Sequence, residues 1–152
     1  MSTTIRQQIV TAVETRLKTI SVANGYQTAL GVSVNLCRPV KPTDAEAAVG
    51  SLNIWDIEDD VVPHLSGIHK HSLRIDVYIT KTGSGAAAWM RKAVADISQA
   101  IRQDRKWSQL AIDTKPGKNE YELDQENKLT GTVRYPFTIE FYTLSFDDFT
   151  QP

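Results

Sequence analysis

The spacing of hydrophobic positions changes several times along this chain, and each change marks a new element. Ile5, Ile9, Val13, Leu17 and Ile20 recur at 4-4-4-3 spacing, which puts them on one face of an amphipathic helix over residues 4–20. Arg6, Gln7, Glu14, Arg16 and Lys18 take the other face. Thr3 or Thr4 is placed to cap this helix, and Asn24-Gly25 supplies residues tolerant of positive φ as a stop. The period then drops to two. Val32, Val34 and Leu36 alternate with Ser33, Asn35 and Cys37 in "GVSVNLC", the pattern of a half-buried strand, ended by Pro39 and Pro42. Thr43-Asp44-Ala45-Glu46 has the form of a capping box and predicts a short helical turn over 44–49. "SLNIWDIE" predicts a second strand. Trp55 and Ile57 lie opposite Leu52 and Ile54 there, so it is covered on both faces or meets a partner on one.

Residues 58–71, "EDDVVPHLSGIHKH", show no period and hold all three histidines. They read as a long connection, and loops of this length are functional or mobile. Leu73, Ile75, Val77 and Ile79 then alternate with polar residues as a clear strand. Ser84 is expected to cap a second helix over 85–104, with Met90, Val94, Ile97 and Ile101 as its apolar stripe and Ala86, Ala93 and Ala100 beside it. Residues 107–118 are irregular, with "KPGK" as a turn signal. "NEYELD" and "TGTVRYPFTIEFYTL" predict a final antiparallel pair, in which Pro136 calls for an edge or a bulge. Residues 145–152 are expected to be a flexible C-terminal tail. The whole, residues 1–152, reads as a single domain of class α+β: a four- to five-stranded, mainly antiparallel sheet with two helices packed on one face.

Composition narrows the function. The 152 residues are enough for a substantial core, and 41% hydrophobic with 23% charged is ordinary for a globular chain. The net charge of −1 supplies no overall basic field to hold nucleic acid, so any DNA contact must be local. Cys37 is the sole cysteine, which excludes an internal disulfide and a cysteine zinc site. "MSTTIRQQIV" has no apolar core of a signal peptide. The uncharged run 19–37 holds Asn24, Gly25, Gln27 and Asn35, so no membrane span is expected.

Several patterns invite chemistry. Gly83-Ser84-Gly85-Ala86-Ala87-Ala88 fits the G-x-G-x-x-A of a dinucleotide cradle, with Asp113 in "QLAID" as the ribose acid. Too little chain follows Asp113 to complete the parallel sheet such a site needs. Glycines at a strand-to-helix turn have a backbone reason of their own. His64, His69 and His71 have no acid or cysteine at ligand spacing within the triplet. No G-x-S-x-G is present, and the carboxylates come in solvated runs. No catalytic residue, cofactor or metal is therefore expected. What remains is an interaction protein. Acid gathers at Asp56, Glu58, Asp59 and Asp60 and again at 120–126, and base at Arg102, Arg105, Lys106, Lys115 and Lys118. Separated patches of opposite sign suit a head-to-tail contact between protomers.

The order of the segments resembles a family. "LKTISVANGYQTALGVSV" leads through prolines to "LNIWDIED"; "LRIDVYI", "AVADISQAIRQDRKWSQLAIDT" and "TGTVRYPFTIEFYT" follow. Over residues 4–144 this is similar to the tail-terminator (minor tail, tail-completion) proteins of long-tailed bacteriophages and prophages, the lambda U-like group. "DISQAIRQDRKWSQLA" and the Gly25-Tyr26-x-Thr28 turn carry most of the resemblance. It implies a non-enzymatic α+β protomer and a homo-hexameric ring. The ring would cap the tail tube, stop its polymerisation and join the head-completion or connector protein, with DNA passing through the lumen unread. Localisation at the head-proximal end of the tail, after assembly in the bacterial host cytoplasm, is implied with it. Another small neck, connector or tail-completion protein is the alternative, and a nucleotide- or metal-using enzyme a distant third. The 58–71 segment, with His69 and His71, and the 113–120 turn are expected to protrude as contacts.

Overall fold

A computed structural model describes residues 2–124 and 130–152. Helix α1 (Ile5–Lys18) begins where the Thr4 hydroxyl accepts the Gln7 N–H, and it buries Ile5, Ile9, Val10, Val13 and Leu17. A 3₁₀ turn at Val22–Asn24 follows, and Gly25 at φ 87° closes that turn rather than the helix. A second 3₁₀ turn, Leu30–Ser33, replaces the first half of the expected 31–37 strand. Leu30 is buried there, while Val32 is 75% exposed. The cause is a close approach. Gly31 donates its N–H to the Ile20 carbonyl, and a Cβ on it would lie 2.4 Å from the Lys18 carbonyl oxygen. Only Val34–Leu36 remain as strand β1. Helix α2 (Asp44–Val49) has both halves of the capping box between Thr43 and Glu46.

Strands β2 (Ser51–Leu65) and β3 (Ile68–Thr82) form one long hairpin. The expected 58–71 loop is therefore a correction: it is the outer half of this hairpin, turned at Ser66-Gly67 with Gly67 at φ 79°. Pairing runs from Ser51↔Thr80 to Leu65↔Ile68, with irregularities between Asp56 and Glu58 and between Pro63 and Leu65. β1 covers the outer edge of β2 only as far as Ile54. Pro63 thus sits on an edge, where a missing N–H breaks no ladder.

Helix α3 (Ala86–Gln103) follows the glycine corner. Ser84 does not cap it; Gly85 holds the N-cap position, and no side chain makes a capping bond. The backbone demand lies at Gly83, whose φ is 109°. Gly85 has an ordinary φ of −95° and open space where a Cβ would go. β4 (Asp113–Pro116), β5 (Glu120–Asp124) and β6 (Thr130–Leu144) complete the chain.

Among the described residues, the sheet has six strands in the order β1-β2-β3-β6-β4, with β5 also on β6. The β1–β2 pair is parallel and the rest are antiparallel. The fold is α+β with three α-helices among the described residues and a mixed sheet; α2 is the helical turn expected at 44–49, and the sheet has one or two strands more than expected. The strand not expected is β4, whose four residues are too few to display a period. Pro136 is neither on an edge strand nor at a bulge: it pairs with Asp76 inside an unbroken β3–β6 register. Its carbonyl accepts the Gly117 N–H. N and O of one residue in an antiparallel strand point the same way, so the missing donor faces the gap where β4 ends and β5 has yet to begin.

α1 and α3 lie on one face of the sheet, over Leu52, Ile54, Leu73, Ile75, Val77, Ile79, Val133, Phe137, Ile139 and Phe141, all buried. Asp96 of α3 is also fully buried. Its carboxylate accepts the Gln27 N–H (3.0 Å), the Thr28 N–H (2.8 Å) and the Thr28 hydroxyl (2.7 Å), tying the 26–28 turn to the helix. α2 sits at the end of the sheet, where Lys81 Nζ donates to the Ala48 carbonyl and Trp89 lies against Gly50. The last residues fold back. Ser145 N–H donates to the Gly67 carbonyl, Leu144 N–H to that of Thr150, and Ile5 N–H to that of Asp148.

Candidate interaction surface

Lengths decide which part of the sheet goes uncovered. A 15-residue strand spans about 50 Å and an 18-residue helix about 27 Å, so β2, β3 and β6 outrun the helical layer. The overhang is an arm, and its apolar residues lack cover: Val61, Val62, Leu65 and Leu144 are exposed, and Phe146 in the turn beside the tip is 95% exposed. The root of the arm is braced. His71 is 4% exposed and its ring stacks on Phe141 at 4.4 Å. Its Nδ1 meets Asp59 at 3.0 Å and its Nε2 meets the Thr143 hydroxyl at 2.9 Å. His71 and Asp59 therefore stiffen the arm rather than face a partner. His69 meets the edge of Phe146, and His64 stacks on Tyr142. The three histidines thus diverge, and among the described residues no three His, Cys, Asp or Glu side chains are grouped to hold a metal.

The sheet face away from α1 and α3 carries charge in chains. Asp76, 1% exposed, lies 3.2 Å from Arg74 Nε and 3.4 Å from Arg134 Nε. That Arg134 nitrogen is buried and makes no aligned hydrogen bond, so its attraction to Asp76 is one of charge alone. Arg134 reaches on to Glu120. Farther along, Glu140 lies between Lys115 (2.8 Å) and Lys70 (3.5 Å). The Lys115 hydrogen bond, with the charge of Lys70, holds the Glu140 carboxyl below the usual carboxylate range, and the same bond raises Lys115. At the α2 end the 38–47 segment and this face enclose an open cleft of about 710 Å³, bordered by Arg38, Trp55, Tyr78 and Glu122.

The expected basic patch is built on an unusual turn. Trp107, Ser108 and Gln109 hold successive φ values of 51°, 58° and 70°, a left-handed run that bulky residues rarely adopt. Two anchors sustain it. Trp107 is buried and its Nε1–H donates to the Thr114 hydroxyl at 2.8 Å, and the Asp104 carboxylate accepts the Lys106 and Ser108 N–H groups. The Ser108 bond leads in holding Asp104 below its ordinary range.

The expected contact residues now divide. Asp56 is bound to Arg6 at 2.7 Å, Asp59 to His71, Arg105 to Asp113 and the Thr114 carbonyl, and Lys115 to Glu140. Glu58, Asp60, Arg102, Lys106 and Lys118 are exposed and make no ion pair among the described residues. Glu126, the far end of the second acidic run, lies outside the described residues. Asp113 faces Arg105, not a ribose site, and β4 is separated from β3 by β6. Asp96, the arm's apolar tip and Phe146 went unmarked in the sequence reading; an aromatic between "TLS" and "DD" in a terminal segment was the available signal for the last.

The fold and surface define a class: an α+β chain with α1 and α3 on one side of a mixed sheet, a polar second face and an arm of overhanging strands. No protein-family model and no curated protein sequence matches the chain. Among solved structures it is similar to a chain of the virion of a native gene transfer agent particle, with a TM-score of 0.56 at 14% identity, over 88% of this chain and 93% of that one. That likeness is one of fold.

Proposed function

We propose that this protein is a structural component of a phage-type virion, and within it the tail terminator. Copies assemble as a homo-hexameric ring on the last ring of the tail tube, stop polymerisation and present a surface to the head-completion protein. DNA passes through the lumen without being read, and the protein does no catalysis. The observation that carries this reading is the near end-to-end likeness of fold to a virion chain. The exposed apolar arm supports it, because a chain alone in water has no use for one. Glu58, Asp60, Arg102, Lys106 and Lys118 are the expected charges left for partners, since the others are already paired within the chain.

Deleting the coding gene from its phage or prophage tests the proposal. Overlong or headless tails are expected by electron microscopy, and purified protein added to polymerising tube protein should shorten the tubes. Tails of normal length attached to heads that leak DNA would overturn termination in favour of a neck or connector role.

A further inference from the structure

We propose that Phe146 of one copy seats in the groove between α3 and β5 of a second copy, joining protomers head to tail. The proposal deepens the ring reading and rests on its self-association alone, not on a place in the virion.

The inserted group is Phe146. It is 95% exposed, at a φ of 57° that a bulky residue rarely holds. The turn that presents it is ordered. Asp147 N–H donates to the Leu144 carbonyl, Ser145 N–H to that of Gly67, and the His69 ring packs against the phenyl edge. The ring is thus aimed outward by a preformed turn, so docking orders little chain.

The receiving site is a groove of about 450 Å³ lined by Ala87 and Met90 of α3 and Tyr121 and Leu123 of β5. Tyr121 and Leu123 are 54% and 41% exposed. The groove is apolar and open, and it has room for an aromatic ring, the side-chain type with most surface to bury. Arg91 stands on its α3 rim and Glu122 on its β5 rim. Asp147 and Asp148 follow Phe146 directly, and neither carboxylate nor Arg91 has an ion-pair partner among the described residues. Attraction to Arg91 and repulsion from Glu122 therefore give the docked turn one orientation.

Position makes the occupant a second copy. Tyr121 and Leu123 pair with Val133 and Gly131 at the start of β6, whereas Phe146 follows Leu144 at its end. That separates the two sites by about 40 Å along the strand, so Phe146 cannot reach its own groove. Unlike surfaces at opposite ends of one protomer, engaged head to tail, make a heterologous contact that repeats into a ring or filament.

Two single-cysteine variants that keep Phe146 and the apolar groove test this, each carrying Cys37→Ser: Asp148→Cys beside the inserted ring and Arg91→Cys on the groove's rim. Mixed and oxidised, they should give a disulfide-linked heterodimer at least tenfold above a control pairing Asp148→Cys with Lys18→Cys. By native mass measurement Phe146→Asp and Ala87→Arg should each fail to self-associate. Mixed one to one they should form no ring and stop at a weak heterodimer that is populated only well above micromolar concentration, because each pair keeps one intact contact and cannot close. Absence of the trapped species, or wild-type assembly by both charge variants, overturns the docking. Rings that persist in both variants would refute this contact and leave the ring. Normal tails in the gene deletion would refute the virion role and leave the contact.

Discussion

Replacing Asp96 with alanine removes the acceptor of three hydrogen bonds at once. The Gln27 N–H lies in an exposed residue and can turn to water. The Thr28 N–H and hydroxyl cannot, because Thr28 is 3% exposed under α3. A buried polar group left without a partner costs about 1–3 kcal/mol, so two of them, with some relaxation, should cost about 3–5 kcal/mol. Against a total stability of about 5–15 kcal/mol this is severe, and at this chain length it lowers Tm by roughly 6–20 °C. Asp96→Asn separates shape from acceptor capacity: its oxygen can serve one donor, while its amide faces another, so about half the loss should remain. Urea unfolding followed by tryptophan fluorescence measures both, the buried Trp107 serving as reporter. The midpoint should fall with the slope unchanged. An alanine variant within 1 kcal/mol of wild type, or an asparagine variant equal to it, would show that the 26–28 turn is not held by this carboxylate.

Two further changes separate causes that look alike. Gly83→Ala, at φ 109°, should cost about 1–3 kcal/mol, while Gly85→Ala, at φ −95° in open space, should cost under about 1 kcal/mol; the opposite ranking by thermal melting refutes the assignment of the corner's demand to Gly83. Glu140→Gln should destabilise by about 1 kcal/mol or less at neutral pH and low salt. Because the folded-state pKa of Glu140 is lowered, its contribution is present above the unfolded pKa and lost as pH falls through the folded value. The gap to wild type should therefore close on acidification below about pH 4, and a gap unchanged at pH 3 contradicts the pairing with Lys115 and Lys70.

What was legible in the sequence follows from what a period records. Alternation is written where one face is buried and the other is wet, which holds for Leu73–Ile79 and Val133–Phe141, under α1 and α3. The stripe of α1 and most of that of α3 were readable for the same reason. Asp59 to Pro63 pair with β3 without a break, but no helix covers them, so nothing in their order distinguishes two faces. Ser66-Gly67 was the only local mark of the hairpin, and the proline three residues before it argued the other way. The single-file Val32 failed for the opposite reason: its alternation was in register with Val34 and Leu36, but the close passage of Gly31 over the end of α1 turned it outward. Asp96 could not be found, because its partners, two backbone N–H groups and one hydroxyl, lie nearly seventy residues away.

The same uncovered stretch bears on how such protomers would assemble. Val61, Val62, Leu65, Leu144 and Phe146 are the apolar groups at the arm and its neighbouring turn. Each contributes about 1.5–3 kcal/mol when fully buried from water, and several already lie half covered, so one contact supplies roughly 5–8 kcal/mol. Association costs about 4–15 kcal/mol in lost freedom of motion. A single head-to-tail contact therefore nets little, and an isolated dimer should be scarce at micromolar concentration. Closing a ring adds a contact without a further bimolecular step, and a ready-made tube end would hold protomers beside one another before they bind. Assembly should accordingly be abrupt, passing from monomer to ring with little between, and tube ends should shift it to lower concentration. A stable dimer in the absence of tube would mean that the contact is stronger than these side chains can make it.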